Sequence, residues 1–400
     1  MKVSSSEEKY HHLGRVYQLI DQFELISRRD IAKLAGYAPA SITGITKKLI
    51  DNKFILERTA QNVTSRGRPA VGLSVSPFHW QLLCLIISTN KVAISLCELS
   101  GEVIYKHDYP ISLNGNIDND VENAISHFLS HYPVENKRLI AVSTSVKGKV
   151  DKLKSVITQL DNEQVECHLF QIISKLVSNK PIFINEHFQL WLLSESILGS
   201  LLRSDNVIFL QLDEFINLSV LLRGELLHRD EHKRMNIDRM LMPKFGEVSE
   251  VISQDLDEMR RYQLINQIGF SALEKAIDHY LPNTLPDLNS KIEWFCELAD
   301  KDDTKALLIL KHITDNLTYM LHNLIALFSI EKIMLCSPLV GIQKSLFNKL
   351  KDDITTQLLK DGITVDIVTS QYDRDSPMIP ASAIKSAIYT GNLIQNIIQL

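Results

Sequence analysis

Between Lys9 and Phe23 the apolar residues Leu13, Val16, Tyr17 and Ile20 recur at helical spacing, which predicts a helix ending before a short loop. Ser27, standing before Arg28-Arg29-Asp30, has the side chain of an N-cap. The apolar face Ile31, Leu34, Ala35 then stops at Gly36, a residue that terminates helices well. Pro39 suits the first turn of a second helix running to Ile50, with Ile42, Ile45, Leu49 and Ile50 on its buried face. Two short helices around a tight glycine turn predict a helix-turn-helix. Residues 54–58 read as a strand and 71–75 as its return, so the unit is expected to be a winged helix with residues 64–69 at the wing tip.

From Phe78 onward the pattern changes. Apolar runs at 82–88 and 92–99, with a third at 102–108, predict an antiparallel meander. A helix over 121–130, a strand over 139–145 and a buried strand at 181–184 follow, the last leading into a helical run at 190–202. Strand patterns at 207–212 and 218–222 reopen the chain as the first lobe opened. Helices dominate 255–328, late strands fall at 332–336 and 365–368 around a helix at 342–359, and a final helix is expected over 381–400. Strands alternating with helices in two similar lobes predict an α/β architecture. The expected domains are a winged helix-turn-helix at 1–78 and a two-lobed body at 79–400. The first lobe would span about 79–190 and the second about 191–380, with the C-terminal helix returning to the first.

Composition narrows the class. With 45% apolar and 23% charged residues, 15 Gly and 12 Pro in 400 residues, the chain is an ordinary folded protein, and disorder and collagen-like repeats are excluded. Five scattered cysteines without a C-x-x-C suggest neither a disulfide framework nor a four-thiolate zinc site, which fits a reducing, cytoplasmic setting. No charge-free apolar run approaches about 18 residues and the N-terminus is polar, so neither export nor membrane insertion is expected. The overall charge of -5 conceals an asymmetry: residues 1–80 carry a net +5 and the remainder -10. A basic head on an acidic body is the charge layout of a DNA-reading module on an oligomerising or sensing body.

A recognition helix needs small or polar groups facing base edges and cations beside them for phosphates. Ser41, Thr43, Thr46, Lys47 and Lys48 meet that description, and Arg28 and Arg29 stand ready to hold backbone phosphate. At the wing tip, Arg66-Gly67-Arg68-Pro69 resembles the core of an AT-hook, in which two guanidinium groups lie along a narrow A·T minor groove. The head stretches 16–22, 38–43 and 66–73 together resemble the DNA-binding head of the ROK (repressor, ORF, kinase) family. The similarity continues through Lys147-Gly148-Lys149-Val150-Asp151, Trp191 with Ser194-Glu195, Gly224-Glu225-Leu226-Leu227-His228 and Lys332-Ile333-Met334-Leu335. The resemblance implies an actin-like, sugar-kinase-like body behind the winged helix. It also implies double-stranded DNA as partner, a homodimer or tetramer, and sequestration by a phosphotransferase-system sugar permease domain.

The departures from the family pattern carry expectations of their own. Family members that phosphorylate sugars have a glycine-rich phosphate loop at the first strand turn, whereas Ile87-Ser88-Thr89-Asn90-Lys91 has no glycine, so use of ATP is not expected. The family's pocket aspartate lies in a stretch matched here by Asn185-Glu186-His187, with the match open by one residue; these three are the candidate ligand-pocket residues. The family's zinc segment, with its one His and three Cys, is replaced by residues 236–250, which contain neither residue type. No metal and no cofactor are expected, although His228, Glu231 and His232 form a polar cluster nearby. The expected function is a transcriptional regulator, a repressor of sugar uptake or catabolism genes, without enzymatic activity or catalytic residues. The alternatives are a sugar kinase that keeps a fused head, or a sugar-induced repressor with an intact hexose or hexosamine pocket.

Overall fold

The computed structural model of the chain describes residues 5–59, 71–113, 115–161, 163–212, 216–227, 237–337 and 344–398. Its contacts divide it into two compact units, Met1–Leu198 with Tyr372–Leu400, and Gly199–Gln371. The first unit opens with three helices, α1 (Ser5–Phe23), α2 (Arg28–Ala35) and α3 (Pro39–Asp51), followed by the antiparallel hairpin β1 (Ile55–Thr59) and β2 (Val71–Val75). Ile26 bridges to Leu73, so the loop after α1 lies against the hairpin. This is the winged helix that the apolar spacing predicts.

The rest of the first unit is a five-stranded sheet covered by helices. Strands β3 (Gln81–Ile87), β4 (Lys91–Glu98) and β5 (Val103–Pro110) form the antiparallel meander, and α4 (Ile117–His131) follows, capped by the Asn116 side chain. Strand β6 (Leu139–Val146) runs parallel to β3. A small antiparallel sheet of β7 (Gly148–Asp151), β8 (Val156–Leu160) and β9 (Glu163–Cys167) comes next, with no counterpart in the expected elements, because its strands are short and half polar. Helix α5 (Leu169–Leu176) leads to β10 (Ile182–Glu186), parallel to β6, and α6 (His187–Leu198) starts at once. The order β10-β6-β3-β4-β5 places three parallel strands side by side.

The second unit repeats the plan. Strands β11 (Val207–Leu212), β12 (Ile216–Leu222) and β13 (Glu225–Leu226) are antiparallel. A helical block follows: short α7 (Val248–Val251), α8 (Glu258–Arg261) and α9 (Leu264–Ile268), then α10 (Phe270–Tyr280), α11 (Leu288–Asp300) and α12 (Thr304–Phe328). Strand β14 (Lys332–Cys336), α13 (Lys344–Lys360) and β15 (Asp366–Thr369) complete the order β13-β12-β11-β14-β15. It mirrors the first sheet: an antiparallel arm on one side of β11 or β3, two parallel strands on the other.

The chain returns to the first unit through α14 (Met378–Tyr389). Here the expected helix over 381–400 is corrected. Helix α14 ends at Tyr389, Gly391 takes a left-handed φ of +87°, and among the described residues only a 3-10 turn at Ile394–Asn396 follows. A Cβ on Gly391 would fall 2.5 Å from the Tyr10 backbone, so the bend is tied to the close approach of α1. The bend lays Leu393, Ile394 and Ile398 into the core of the head. That core is continuous: Leu13, Val16, Tyr17, Ile20, Ile31, Ile42, Leu49 and Phe54 cluster with Leu82, Cys84, Ala381, Ile384 and Ile388. Head and first lobe therefore share one apolar interior, where the sequence suggests a boundary at residue 78. No helix among the described residues is long and apolar enough to cross a membrane.

Candidate DNA interface and the polar cluster of the first lobe

Helix α2 is capped at both ends. The Ser27 hydroxyl accepts from Asp30 N at 3.2 Å while donating to Asp30 Oδ2 at 2.6 Å, and Gly36, at φ +70°, closes the other end. Pro39 then occupies the first turn of α3. Ile42 and Leu49 are fully buried, and Ser41, Thr43, Gly44, Lys47 and Lys48 are exposed. The Thr43 hydroxyl donates to Pro39 O at 3.0 Å, which leaves its oxygen lone pairs facing out as acceptors. A Cβ added to Gly44 would meet nothing within 4 Å, so this position lowers the outer surface of the helix, a feature that apolar periodicity does not register.

Thr46 is corrected as a base-reading residue. It is fully buried, donates to Ile42 O at 2.8 Å, and accepts from Arg28 Nε at 3.0 Å. Its place four residues after Ile42 and three before Leu49 puts it on the apolar stripe, and that spacing is the signal in the sequence. Arg28 is held by Thr46 and, through Nη2, by Glu57 at 2.7 Å on β1, so it fastens α2 to α3 and to the wing hairpin. Arg29 is exposed. Arg66, Gly67 and Arg68 lie outside the described residues.

Helix α1 joins this head to the body. Asp21 Oδ2 receives Lys385 Nζ at 2.6 Å and the Tyr389 hydroxyl at 2.6 Å, with the lysine fully buried. A Cβ on Gly14 would sit 2.3 Å from Tyr389 O, so only glycine lets α1 and α14 approach this closely. Trp80 Nε1 donates to Asn52 O at 2.9 Å, and Gln22 Nε2 donates to Ile197 O at 3.0 Å.

In the first lobe, β3, β6 and β10 end side by side, with Ile87 opposite Val146 and Val146 opposite Glu186. The carboxyl ends of parallel strands are where open α/β sheets hold ligands. Here the glycine-free turn after β3 is closed on itself: Ser88 Oγ donates to Asn90 Oδ1 at 2.9 Å, and Thr89 donates through N (3.2 Å) and Oγ1 (2.8 Å) to Asp161. The Thr89 N–H that a phosphate loop would offer is already bonded. Asn185 and Glu186 close β10, and His187 opens α6, buried, with Nδ1 2.8 Å from Ser145 Oγ. Burial, reinforced by the charges of Lys147 and Arg374, pushes the imidazole down to about 3, so it is neutral at physiological pH. Lys147 is itself mostly buried and pairs with Asp375 Oδ1; burial lowers its pKa against the opposing pull of that carboxylate. Lys91 reaches Asp375 Oδ2 at 3.5 Å and Asp108 at 2.7 Å.

The family resemblance places a zinc site in the second unit, at a segment that here offers no His or Cys between residues 237 and 250. The segment that would carry it is held by hydrogen bonds: Phe245 N donates to Ser249 Oγ at 2.9 Å, Ser249 Oγ donates to Phe245 O at 2.7 Å, and Met242 N, Leu264 N and Ile265 N bond to Tyr262, Met240 and Asp238 carbonyls. Cys296 and Cys336 are buried, the former within the helical core. Among the described residues no three His, Cys, Asp or Glu side chains converge as a metal group. His228, Glu231 and His232 lie outside them.

A capped winged helix-turn-helix fused to a doubled α/β body defines a DNA-binding regulator. A protein-family model described as the ROK family matches residues 82–228. The chain is 26% identical to the DNA-binding transcriptional repressor Mlc of Escherichia coli K12, over 98% of this chain and 97% of that protein. It is 25% identical to the DNA-binding transcriptional dual regulator NagC of the same strain, over 96% and 94%. The crystal structure of a ROK family transcriptional regulator, a homolog of the E. coli Mlc protein, matches over 98% of this chain and 99% of that one, with a TM-score of 0.74 at 26% identity. A ROK hexokinase from Thermus thermophilus shares the fold over 76% of this chain and 96% of its own, with a TM-score of 0.56 at 16% identity. The chain is thus similar over nearly its whole length to DNA-binding transcriptional regulators of the ROK type, and its body shares the fold of ROK sugar kinases.

Proposed function

We propose that this protein is a cytoplasmic repressor of genes for sugar uptake or catabolism, binding double-stranded DNA through its head while a non-catalytic body dimerises and senses a signal. The observation that carries the reading is α3: a helix fixed on one side by Ile42, Thr46 and Leu49 presents Ser41, Thr43, Gly44, Lys47 and Lys48 outward with no packing duty. Its relatives named as DNA-binding regulators or repressors, Mlc and NagC, align over nearly the whole chain. A homodimer or tetramer suits this head, since one recognition helix reads only a few base pairs and two give specificity through half-site spacing. Sequestration of the body by a phosphotransferase-system permease domain is the partner expected from the family resemblance. Asn185, Glu186 and His187 belong to the sensing region.

Enzymatic phosphorylation has little support. A general base works best with a pKa near the operating pH, and His187 is far below it. The Thr89 N–H of the turn is bonded to Asp161 and so is not free for a phosphate. The body is also expected to fold without zinc, because hydrogen bonds through Ser249 close the segment where the family places it.

The test is binding of purified protein to fragmented DNA of its own organism at defined salt. Enrichment of a palindrome beside sugar genes is expected, and replacing Lys47 and Lys48 by Ala should reduce the salt slope of binding by about 2. Binding no better than to random DNA would overturn the regulator reading. On the same preparation, transfer of phosphate from ATP to glucose would overturn the non-catalytic body. Stoichiometric zinc, or a fall in unfolding temperature on chelation, would overturn the metal-free one.

A further inference from the structure

Helix α4 buries Val121, Ala124, Ile125 and Phe128 in the first-lobe core, and His127 and His131, four residues apart, stand exposed on one face of its C-terminal end. The two imidazoles are stacked, with ring centroids 3.8 Å apart and planes within 16° of parallel. What each ring has already bonded decides what it has left to offer. His131 Nδ1 lies 3.0 Å from the His127 carbonyl oxygen, an atom that only accepts, so Nδ1 carries the proton and the neutral ring keeps its lone pair on Nε2. Ser130 Oγ, which donates to the same carbonyl at 2.8 Å, stands 3.2 Å from that Nδ1 and shares its proton. His127 Nδ1 lies 3.0 Å from the hydroxyl of Tyr109 on β5, which accepts as readily as it donates. With Nδ1–H donating to Tyr109, a second Nε2 lone pair stands beside the first. Neither Nε2 has a hydrogen-bond partner among the described residues.

We infer that His127 and His131 form a two-imidazole site for a divalent transition-metal ion, with Tyr109 as the positioning residue for His127 and water in the remaining coordination places. Histidines that ligate metals donate their other ring N–H to a carbonyl or hydroxyl, which fixes the tautomer and aims the lone pair, and both rings here have that partner. An ion held by both at about 2.0–2.1 Å needs the nitrogens about 3 Å apart, close to the spacing of the stack, so a small turn of two exposed rings brings them together. The ion also lies at the C-terminal end of α4, where the helix dipole favours a cation. Imidazole ligands with open places suit Cu2+ above Ni2+ and Zn2+. His107 stands on the same face of β5 as Tyr109, with its ring 4.5 Å from the tyrosine's, and braces it. The bound ion therefore fastens α4 to β5, an edge strand exposed along nearly its whole length. The site lies in the first unit, apart from residues 236–250, and is independent of how the head reads DNA.

The experiment uses the full chain without an affinity tag, stripped with EDTA, exchanged into metal-free buffer and titrated with CuCl2, NiCl2 and ZnCl2 by calorimetry. One equivalent of Cu2+ is expected to bind, more tightly than Ni2+ or Zn2+, to raise the unfolding temperature, and to give an electron paramagnetic resonance spectrum with two nitrogen donors. His127→Ala and His131→Ala should each weaken that equivalent about tenfold or more, and the double variant should lose it. Tyr109→Phe keeps the ring and both ligands, so it should keep the two-nitrogen spectrum while affinity falls about tenfold, the scale of a lost outer-shell partner. The three side chains lie outside the core, and circular dichroism checks that each variant folds. No Cu2+ binding by the parent chain, an equivalent that survives in the double variant, or a spectrum without two nitrogen donors would each overturn the site. Undiminished affinity in Tyr109→Phe would overturn the role of the tyrosine. Zinc that stays with the double variant belongs elsewhere in the chain and counts against the metal-free second unit; zinc lost with the two histidines does not.

Discussion

Lys385 is a buried cation whose worth depends entirely on its partner. Removing it as Lys385→Met strands the Asp21 carboxylate, whose side chain is 6% exposed, and should cost about 3–5 kcal/mol. The double variant with Asp21→Asn is expected to recover much of that loss, and urea unfolding of the single and double variants measures both. His187 contributes in a pH-dependent way. Its folded pKa of about 3 lies below the ordinary 6.5, so below pH 6.5 the unfolded chain binds more protons and stability falls with acid. His312, lowered by burial, acts in the same direction. Replacing His187 by Phe together with Ser145→Ala should flatten the stability profile between about pH 6.5 and 4, by up to about 1.4 kcal/mol per pH unit. An unchanged profile would show that the imidazole is not buried as described. On the DNA side, Ser41→Ala or Thr43→Ala should alter preference among half-sites, since a lost base contact costs about 1–3 kcal/mol at one base pair. Thr46→Val, which removes only the support of Arg28, should weaken all sites alike.

At the scale of an element, α3 combines two demands that conflict at Gly44. A glycine inside a helix costs about 1 kcal/mol relative to alanine, and nothing in the fold crowds a Cβ there. Gly44→Ala is therefore expected to raise the unfolding temperature while lowering operator affinity, because the methyl group stands on the face turned to the groove. Higher stability with undiminished binding would remove Gly44 from the interface. Helix α14 serves four neighbours, α6, β6, β3 and α1, and it stops where Gly391 must turn beside Tyr10. Reading α14 as an independent amphipathic helix misses its last turn, since Ile394 and Ile398 reach the same core by a bend.

At the scale of the molecule, the head and first lobe share an interior, so they should unfold together. A fragment of residues 1–78 would expose the faces of Leu13, Tyr17 and Ile20 that meet α14 in the full chain. Circular dichroism of that fragment should show much less helix than the same residues have in the intact protein. A cooperative, fully helical fragment would show the head to be autonomous. The second unit has its own core, from Ile208 on β11 to Ile367 on β15, and needs no contribution from the head to close it.

The sequence by itself determined what is local. Ser27, Gly36 and Pro39 fix the ends of α2 and α3, apolar spacing places the strands of both five-stranded sheets except the short β13, and glycines and cysteines of the pattern that the ROK resemblance implies are missing from the chain. These signals are legible because helix caps, turns and side-chain periods act over three or four residues. Tertiary structure alone decided the rest. It brought Arg28 onto the Thr46 hydroxyl, set Ser145 beside His187 across 42 residues of chain, brought Asp375 to Lys147 across 228, and bolted Lys385 to Asp21 across 364. No pattern along the chain encodes such meetings. They arise from which strands lie parallel and from where the chain returns after the second unit, and a buried charge or imidazole acquires its chemistry only from the neighbour that this return supplies.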